Sequence, residues 1–135
     1  MILVDTSAWI EFLRATGGTA HRTVRRLLLA EAELVITEPV VMELLAGARS
    51  RREFGAMRSR LTALPLLPLE GLSDFEEAAR IFRTCRASGE TVRSQIDCLI
   101  AVPAIRAGAA ILHQDADFDV IARHTDLSIH PLDGV

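Results

Sequence analysis

Short apolar runs alternate with amphipathic segments along the whole of this chain. Runs rich in valine, isoleucine and leucine predict buried strands, which lie at 2–5, 34–36, 111–113 and 127–129. Segments with apolar positions at helical spacing predict helices at 7–14, 20–32, 38–47, 49–62, 73–88, 95–108 and 117–124. The stretch 64–69 contains two prolines and is at best a short edge strand. Because strands and helices alternate, the pattern predicts an α/β fold with a mostly parallel sheet flanked by helices.

The length and composition predict a single domain. The chain has 135 residues, of which 50% are hydrophobic, so residues 1–135 can bury a core without disulfide support. Its apolar runs are far shorter than the ~20 residues of a membrane span, and no basic segment of a signal peptide opens the chain. Cys85 and Cys98 lie in separate helical segments and are expected to be buried, reduced thiols. These features predict a protein of the reducing cytoplasm without membrane contact.

Four carboxylates stand where a metal-dependent nuclease would need them. Asp5 ends the first apolar run, and Asp115 closely follows the third. Because parallel strands share one carboxyl edge, both side chains are expected at the edge where open α/β folds bind ligands. Glu43 and Asp97 lie in helical segments, and Asp97 falls in the first turn of its helix. Acids gathered in a poorly hydrated site stay ionised together only if cations neutralise them, so the pattern predicts a cation too.

The ligand types indicate which cation this is. Carboxylate oxygens are the ligands that Mg²⁺ and Mn²⁺ prefer, and the sequence has no Cys/His cluster with zinc-ligand spacing. Paired divalent ions held by carboxylates suit phosphodiester hydrolysis, since one activates water and the other stabilises the leaving oxygen. The residues therefore favour a Mg²⁺- or Mn²⁺-dependent hydrolase acting on phosphodiesters.

The positive charges are all arginine, since the chain has 15 cationic side chains and no lysine. The net charge of −3 does not indicate binding to nucleic acid. The local charge of residues 44–68 is positive, however, because this segment has five arginines and one acid, Glu53. The planar guanidinium fork matches phosphate in pairs of hydrogen bonds. A solvated helix face is an equally simple interpretation of this run. The candidate contacts to an RNA backbone are Arg49, Arg51, Arg52 and Arg93.

Four short motifs follow one another in order. They are Val4-Asp5-Thr6-Ser7, Glu43-Leu44, Asp97-Cys98-Leu99-Ile100-Ala101 and His113-Gln114-Asp115-Ala116-Asp117-Phe118. In order, spacing and total length the chain resembles PIN-domain ribonucleases, and among them the VapC toxins of bacterial VapBC toxin–antitoxin pairs. The resemblance covers nearly the whole chain.

This resemblance implies a PIN fold, a parallel sheet sandwiched by helices, with endoribonuclease activity that depends on Mg²⁺ or Mn²⁺. It also implies a VapB-type antitoxin as partner, an RNA substrate and a homodimer. The side chains that match the family's catalytic acids are Asp5, Glu43, Asp97 and Asp115. Asp117 matches an additional acid, so the metal ligands expected from the resemblance are Asp5, Asp97, Asp115 and Asp117. Thr6 and Ser7 match hydroxyl residues that support the site by hydrogen bonds.

Some of these residues also have simpler interpretations. Asp117 could cap the helix over 117–124, and Asp119 is expected to pair with Arg123 one helical turn away. His113 is expected to be a hydrogen-bonded histidine at a strand end rather than a base. One residue departs from the family pattern: Pro103 falls inside the helix that Asp97 opens, where it is expected to bend the helix and shift Asp97.

Two other functions compete with the ribonuclease prediction. Asp115-Ala116-Asp117 after a strand superficially resembles the nucleophile motif of haloacid-dehalogenase-type phosphatases. That chemistry normally needs a lysine, which this chain lacks, and the motif lies too near the C-terminus. The stronger alternative is a non-catalytic PIN-like domain that binds RNA or a partner. Such a domain would bind RNA with or without metal.

Overall fold

The central sheet is parallel, as the alternating pattern predicts. The computed structural model describes residues 1–134, so Val135, the last residue of the predicted domain, lies outside the described residues. The strands are β1 (Ile2–Val4), β2 (Leu34–Val35), β3 (Ala110–Leu112) and β4 (Ser128–Ile129). They form a sheet in the order β2-β1-β3-β4, with every pair parallel. The predicted α/β class is therefore confirmed.

The helices of the described residues follow the predicted segments closely. They are α1 (Thr6–Leu13), α2 (Thr19–Leu29), α3 (Glu38–Ala46), α4 (Arg51–Leu61), α5 (Leu72–Ala87), α6 (Gln95–Ala107) and α7 (Ala116–His124). The predicted edge strand 64–69 is reduced to a single bridge between Ile36 and Leu66. Pro65 and Pro68 lack the N–H groups that a longer ladder would need.

The strand order creates a switch point between β1 and β3. Val4 lies opposite Leu112, and the N–H of Asp5 donates to the carbonyl of Leu112 at 2.9 Å. The chain leaves β1 on one side to form β2 and returns on the other side as β3. In open α/β sheets, ligands bind at the carboxyl ends of the strands at such a point. The fold therefore opens its natural binding crevice beside Asp5.

Helix α6 lies in the core and carries Asp97 in its first turn. Its residues Asp97–Ala104 are all buried, and they include Cys98, which is a free thiol. Pro103 lies inside the helix without ending it, since α6 continues to Ala107. The proline removes the usual hydrogen-bond donor to the carbonyl of Leu99. The missing bond lies beyond the first turn of α6, which is the turn that carries Asp97. The N–H of Asp97 keeps its bond to the carbonyl of Ser94 at 3.2 Å.

None of the helices in the described part of the chain is long and apolar enough to cross a membrane.

Candidate metal centre

The five predicted acids come together at the carboxyl edge of the sheet. Asp97, Asp115 and Asp117 each present an oxygen, and these oxygens lie within 4.8 Å of one another. The charges of Asp5 and Asp115 raise the pKa of Asp97, so both lie close to it. Glu43 in turn is close enough to Asp5 and Asp115 for their charges to raise its pKa. We call these five side chains the acidic cluster.

Asp5 has one satisfied carboxylate oxygen and one free one. Its Oδ2 accepts hydrogen bonds from the N–H of Ser7 at 3.0 Å and from the Ser7 hydroxyl at 2.6 Å, which caps α1. The same hydroxyl accepts a bond from the N–H of Gln114 at 2.9 Å, which ties the ends of β1 and β3 together. The Oδ1 atom is buried without a hydrogen-bond partner among the described residues. Burial raises the pKa of Asp5, although the bonds from Ser7 oppose that rise.

Glu43 reaches the cluster from α3. The hydroxyl of Thr6 donates to Glu43 Oε1 at 2.9 Å and fixes the carboxylate against the start of α1. Burial raises the pKa of Glu43, the bond from Thr6 opposes the rise, and the charges of Asp5 and Asp115 add to it. Thr6 and Ser7 therefore each orient a different acid of the cluster.

Asp97 is the most strongly perturbed acid of the cluster. Its side chain is buried, and its Oδ2 has no hydrogen-bond partner among residues 1–134. Burial raises its pKa from the ordinary 3.8 to about 9, with further contributions from Asp5, Asp117 and Asp115. In the absence of a cation, Asp97 therefore holds a proton at neutral pH. A divalent ion would reverse this preference, because it stabilises the ionised carboxylate.

Asp115 and Asp117 make different hydrogen bonds at the start of α7. Asp115 is the N-cap, and its Oδ1 accepts a bond from the N–H of Asp117 at 2.9 Å. Asp117 therefore does not cap its own helix, contrary to the simpler interpretation. Its carboxylate instead accepts bonds from the N–H groups of Arg93 at 3.1 Å and Ser94 at 3.0 Å, just before α6. Sequence reasoning missed this contact because it joins positions more than twenty residues apart.

His113 has the hydrogen bonds expected of a strand-end histidine. Its Nδ1 accepts from the N–H of Asp115 at 3.0 Å, so Nε2 is the atom that donates to Asp119, at 3.1 Å. The predicted pair between Asp119 and Arg123 is therefore wrong. The guanidinium of Arg123 donates to Glu90 instead.

The predicted RNA-binding arginines separate into two groups. Arg51 and Arg52 are exposed in the first turn of α4, and Arg49 is exposed just before that helix. None of the ion pairs in the described residues joins these arginines to the acidic cluster. Arg93 differs, because its Nη2 lies 3.7 Å from Asp115 Oδ1 and its Nε lies 3.7 Å from Asp117 Oδ1. The structure thus brings one of the four arginines to the acids.

The PIN domain family model matches residues 2–124 of the chain. The chain is 52% identical to ribonuclease VapC11 of Mycobacterium tuberculosis over 128 residues, which cover 94% of this chain and 96% of that protein. PIN nucleases are metal-dependent, and the carboxylate cluster agrees with that property.

Solved structures agree on the fold. VapBC2 from Rickettsia felis, bound to a DNA fragment from its promoter, superposes with a TM-score of 0.73 at 16% identity, covering 96% of this chain and 98% of that one. VapC20 of Mycobacterium tuberculosis, described as a sarcin-ricin loop cleaving toxin, gives a TM-score of 0.69 at 21% identity, covering 95% and 99%. The family match and the VapC11 identity show that this chain belongs to the PIN-domain family and, within it, to the VapC ribonucleases, the toxins of VapBC toxin–antitoxin systems.

Proposed function

We propose that this chain hydrolyses internal phosphodiester bonds of RNA at the acidic cluster, with Mg²⁺ or Mn²⁺ as its cofactor. The observation that carries the proposal is a pair of buried carboxylate oxygens, Asp5 Oδ1 and Asp97 Oδ2, that have no hydrogen-bond partner among the described residues. Buried polar atoms are nearly always satisfied, so two such atoms beside further carboxylates call for a cation.

The donor set fits a hard divalent ion. Asp5, Asp97, Asp115 and Asp117 would hold it through carboxylate oxygens, the ligands that Mg²⁺ and Mn²⁺ take. The oxygens of Asp117 already accept main-chain hydrogen bonds. A carboxylate oxygen has two lone pairs, so these bonds orient Asp117 without preventing it from acting as a ligand.

The protein groups orient the acids for the reaction. A bound divalent ion supplies the charge that activates water and stabilises the negative charge developing on the phosphate. Ser7 holds Asp5, and Thr6 holds Glu43, so the carboxylates are in place before RNA arrives. Asp97 would release its proton on binding a cation, which would couple cofactor binding to pH. Asp5, Glu43, Asp97 and Asp115 are the acids we assign to catalysis.

Exposed arginines guide the RNA to this site. Arg49, Arg51 and Arg52 at the start of α4 are free of the acidic cluster and available to phosphates. Phosphate contacts position a nucleic acid without reading its sequence. These arginines would therefore bind the RNA backbone without selecting a particular RNA.

The partner we propose is a VapB-type antitoxin, as in the VapBC2 complex of Rickettsia felis. A cleft of about 90 Å³ between α1, α2 and α4 supports this proposal, and its apolar wall is formed by Trp9, Phe12, Leu13, Leu28, Met57, Leu61 and Leu64. Within the leucine run of α2, Leu27 is buried in the core while Leu28 lines this cleft. An apolar segment of the antitoxin would bury the cleft.

We also propose a homodimer that acts in the cytoplasm. A separate apolar cleft of about 450 Å³ between α5 and α6 supports the dimer, and it exposes about half of Phe75 beside Phe82 and Leu99. Exposed apolar surface of this kind commonly marks an interface. The buried free thiols Cys85 and Cys98 agree with a reducing compartment. Light scattering of the antitoxin-free protein measures the oligomeric state.

The test of the reaction is cleavage of total bacterial RNA by antitoxin-free protein, with Mg²⁺, with Mn²⁺ or with EDTA. Asp97→Asn is the control, because it replaces a buried carboxyl group that could bind a cation with an amide of the same shape. Discrete fragments that require both the metal and Asp97 are expected. RNA binding that is indifferent to metal and to Asp97→Asn, with no cleavage, would instead support the non-catalytic alternative.

A further inference from the structure

Arg93 contacts the acidic cluster through both its main chain and its side chain. Its N–H donates to both carboxylate oxygens of Asp117 at 3.1 Å. Its guanidinium lies 3.7 Å from Asp115 Oδ1 through Nη2 and 3.7 Å from Asp117 Oδ1 through Nε. The residue that precedes the N-cap of α6 thus brings a permanent positive charge to two proposed metal ligands.

The two kinds of contact differ in strength. The main-chain bonds have ordinary hydrogen-bond lengths and end on the buried carboxylate of Asp117. The guanidinium is 78% exposed, and its 3.7 Å separations exceed hydrogen-bond lengths. An exposed ion pair of this kind is weak and easily exchanged. The side chain of Arg93 can therefore leave the acids without disturbing the start of α6.

A divalent ion and this guanidinium require the same carboxylates. Asp115 and Asp117 belong to the group of three acids whose oxygens lie within 4.8 Å of one another, and they are also the partners of Arg93. Two cations that share these oxygens repel each other at short range. A phosphate that enters beside the ion gives the displaced guanidinium a new partner, and its planar fork is well suited to phosphate.

We propose that Arg93 exchanges partners during the reaction. It neutralises Asp115 and Asp117 in the cation-free protein, and it binds the phosphate of the RNA once a divalent ion takes those carboxylates. The inference rests on the proposed metal site and adds to it a residue that contacts the substrate. It requires that loss of the guanidinium strengthen metal binding and weaken RNA cleavage, two effects of opposite sign that a structural role would not produce.

The test measures both effects on Arg93→Gln. Calorimetric titration of the RNA-free protein gives the Kd for Mn²⁺, which we expect to fall roughly threefold to tenfold as the competing charge is removed. Cleavage of total bacterial RNA at saturating Mn²⁺ is expected to slow by about tenfold or more. Arg25→Gln is the matched control, because Arg25 is an exposed arginine of α2 and its loss changes the net charge equally. Both values should stay at those of the parent chain.

Arg93→Lys keeps the charge and loses the planar fork, so it should bind Mn²⁺ as the parent chain does and cleave at an intermediate rate. Slower cleavage by Arg93→Gln with unchanged or weaker Mn²⁺ binding would overturn the exchange, and so would unchanged cleavage. A thermal melt of each variant in EDTA verifies that it is folded. If the parent chain itself binds no Mn²⁺, the proposed metal site fails, and that result is distinct from failure of the exchange alone.

Discussion

The hydroxyl of Thr6 donates a hydrogen bond to Glu43 Oε1 at 2.9 Å, linking the first turn of α1 to the middle of α3. The bond spans 37 positions in the sequence and sets where the acid of α3 points. Glu43 is the one cluster acid that lies neither directly after a strand nor at a helix start. Its place in the cluster therefore depends on Thr6 more than on its own element.

Thr6→Val should slow RNA cleavage by roughly tenfold, because Glu43 loses the donor that orients it, and should lower the free energy of unfolding by about 1 kcal/mol. Single-turnover cleavage at saturating Mn²⁺ and urea unfolding measure the two effects. Thr6→Ser keeps the hydroxyl and is the control that should cleave at nearly the parent rate. Equal loss in both variants would mean that the methyl group, and not the hydrogen bond, is what matters.

Asp117→Asn and Asp115→Asn should have different effects on stability in EDTA. In Asp117→Asn an amide group faces the N–H groups of Arg93 and Ser94, so we expect a loss of about 1–3 kcal/mol. Asp115→Asn retains an N-cap residue for α7 and reduces repulsion among the acids, so its stability should be unchanged or higher. Urea unfolding of both variants with EDTA measures the difference. Equal destabilisation of the two would contradict the anchoring role of Asp117.

The contribution of Asp97 to the stability of the cation-free protein should fall as pH rises above about 4. The pKa of Asp97 is raised from 3.8 to about 9 in the folded state, so the folded protein holds this proton more tightly than the unfolded chain does. The contribution of Asp97 is fully present below the unfolded pKa and is lost as pH rises through the folded one. The pH range between these two pKa values is therefore the one to measure. Melting temperatures of the parent chain in EDTA should decline between pH 5 and 9.

The same series on Asp97→Asn isolates that residue. Its melting temperature should decline less steeply, and the remaining slope would come from Asp5 and Glu43, whose pKa values are also raised. Added Mn²⁺ should raise the melting temperature of the parent chain more at pH 8 than at pH 6, since the cation must displace the proton. An identical pH dependence in the parent and in Asp97→Asn would exclude Asp97 as its source.

Leu28→Asp should weaken antitoxin binding at least tenfold and leave RNA cleavage unchanged. Leu28 lines the apolar cleft of α1, α2 and α4, and an unpaired charge there is costly to bury. Leu29→Asp is the matched control, since Leu29 is more exposed and lies outside the lining of the cleft. Calorimetry with a VapB-type antitoxin that binds the parent chain measures the Kd. Equal weakening by both variants would place the antitoxin elsewhere.

Much of this protein could be predicted from local sequence. The period of apolar positions identifies the strands and helices, and a parallel sheet follows because the two alternate. Asp5 and Asp115 could be placed at one edge because each follows a buried strand, and such strands share a carboxyl end. The four ordered motifs predicted the VapC family, which the identity to VapC11 confirms.

Other features depended on contacts between distant segments. The helix predicted to open at Ser73 begins at Leu72, and its N-cap is Gly71, which has a φ of 70°. Asp74, in the first turn, is bound by Arg106. No local pattern reveals a partner that lies 32 positions away. The same reason explains why Arg123 pairs with Glu90, 33 positions away, rather than with Asp119.

Short-range periodicity and side-chain chemistry are enough to identify which residues could bind a metal and on which elements they lie. How these residues are held depends on tertiary contacts, since Ser7 joins Asp5 to Gln114, and Asp117 fixes the start of α6. The same contacts bury one oxygen each of Asp5 and Asp97 without a partner among the described residues. Burial and long-range hydrogen bonds arise only when segments far apart in the chain pack together, and no single segment encodes them.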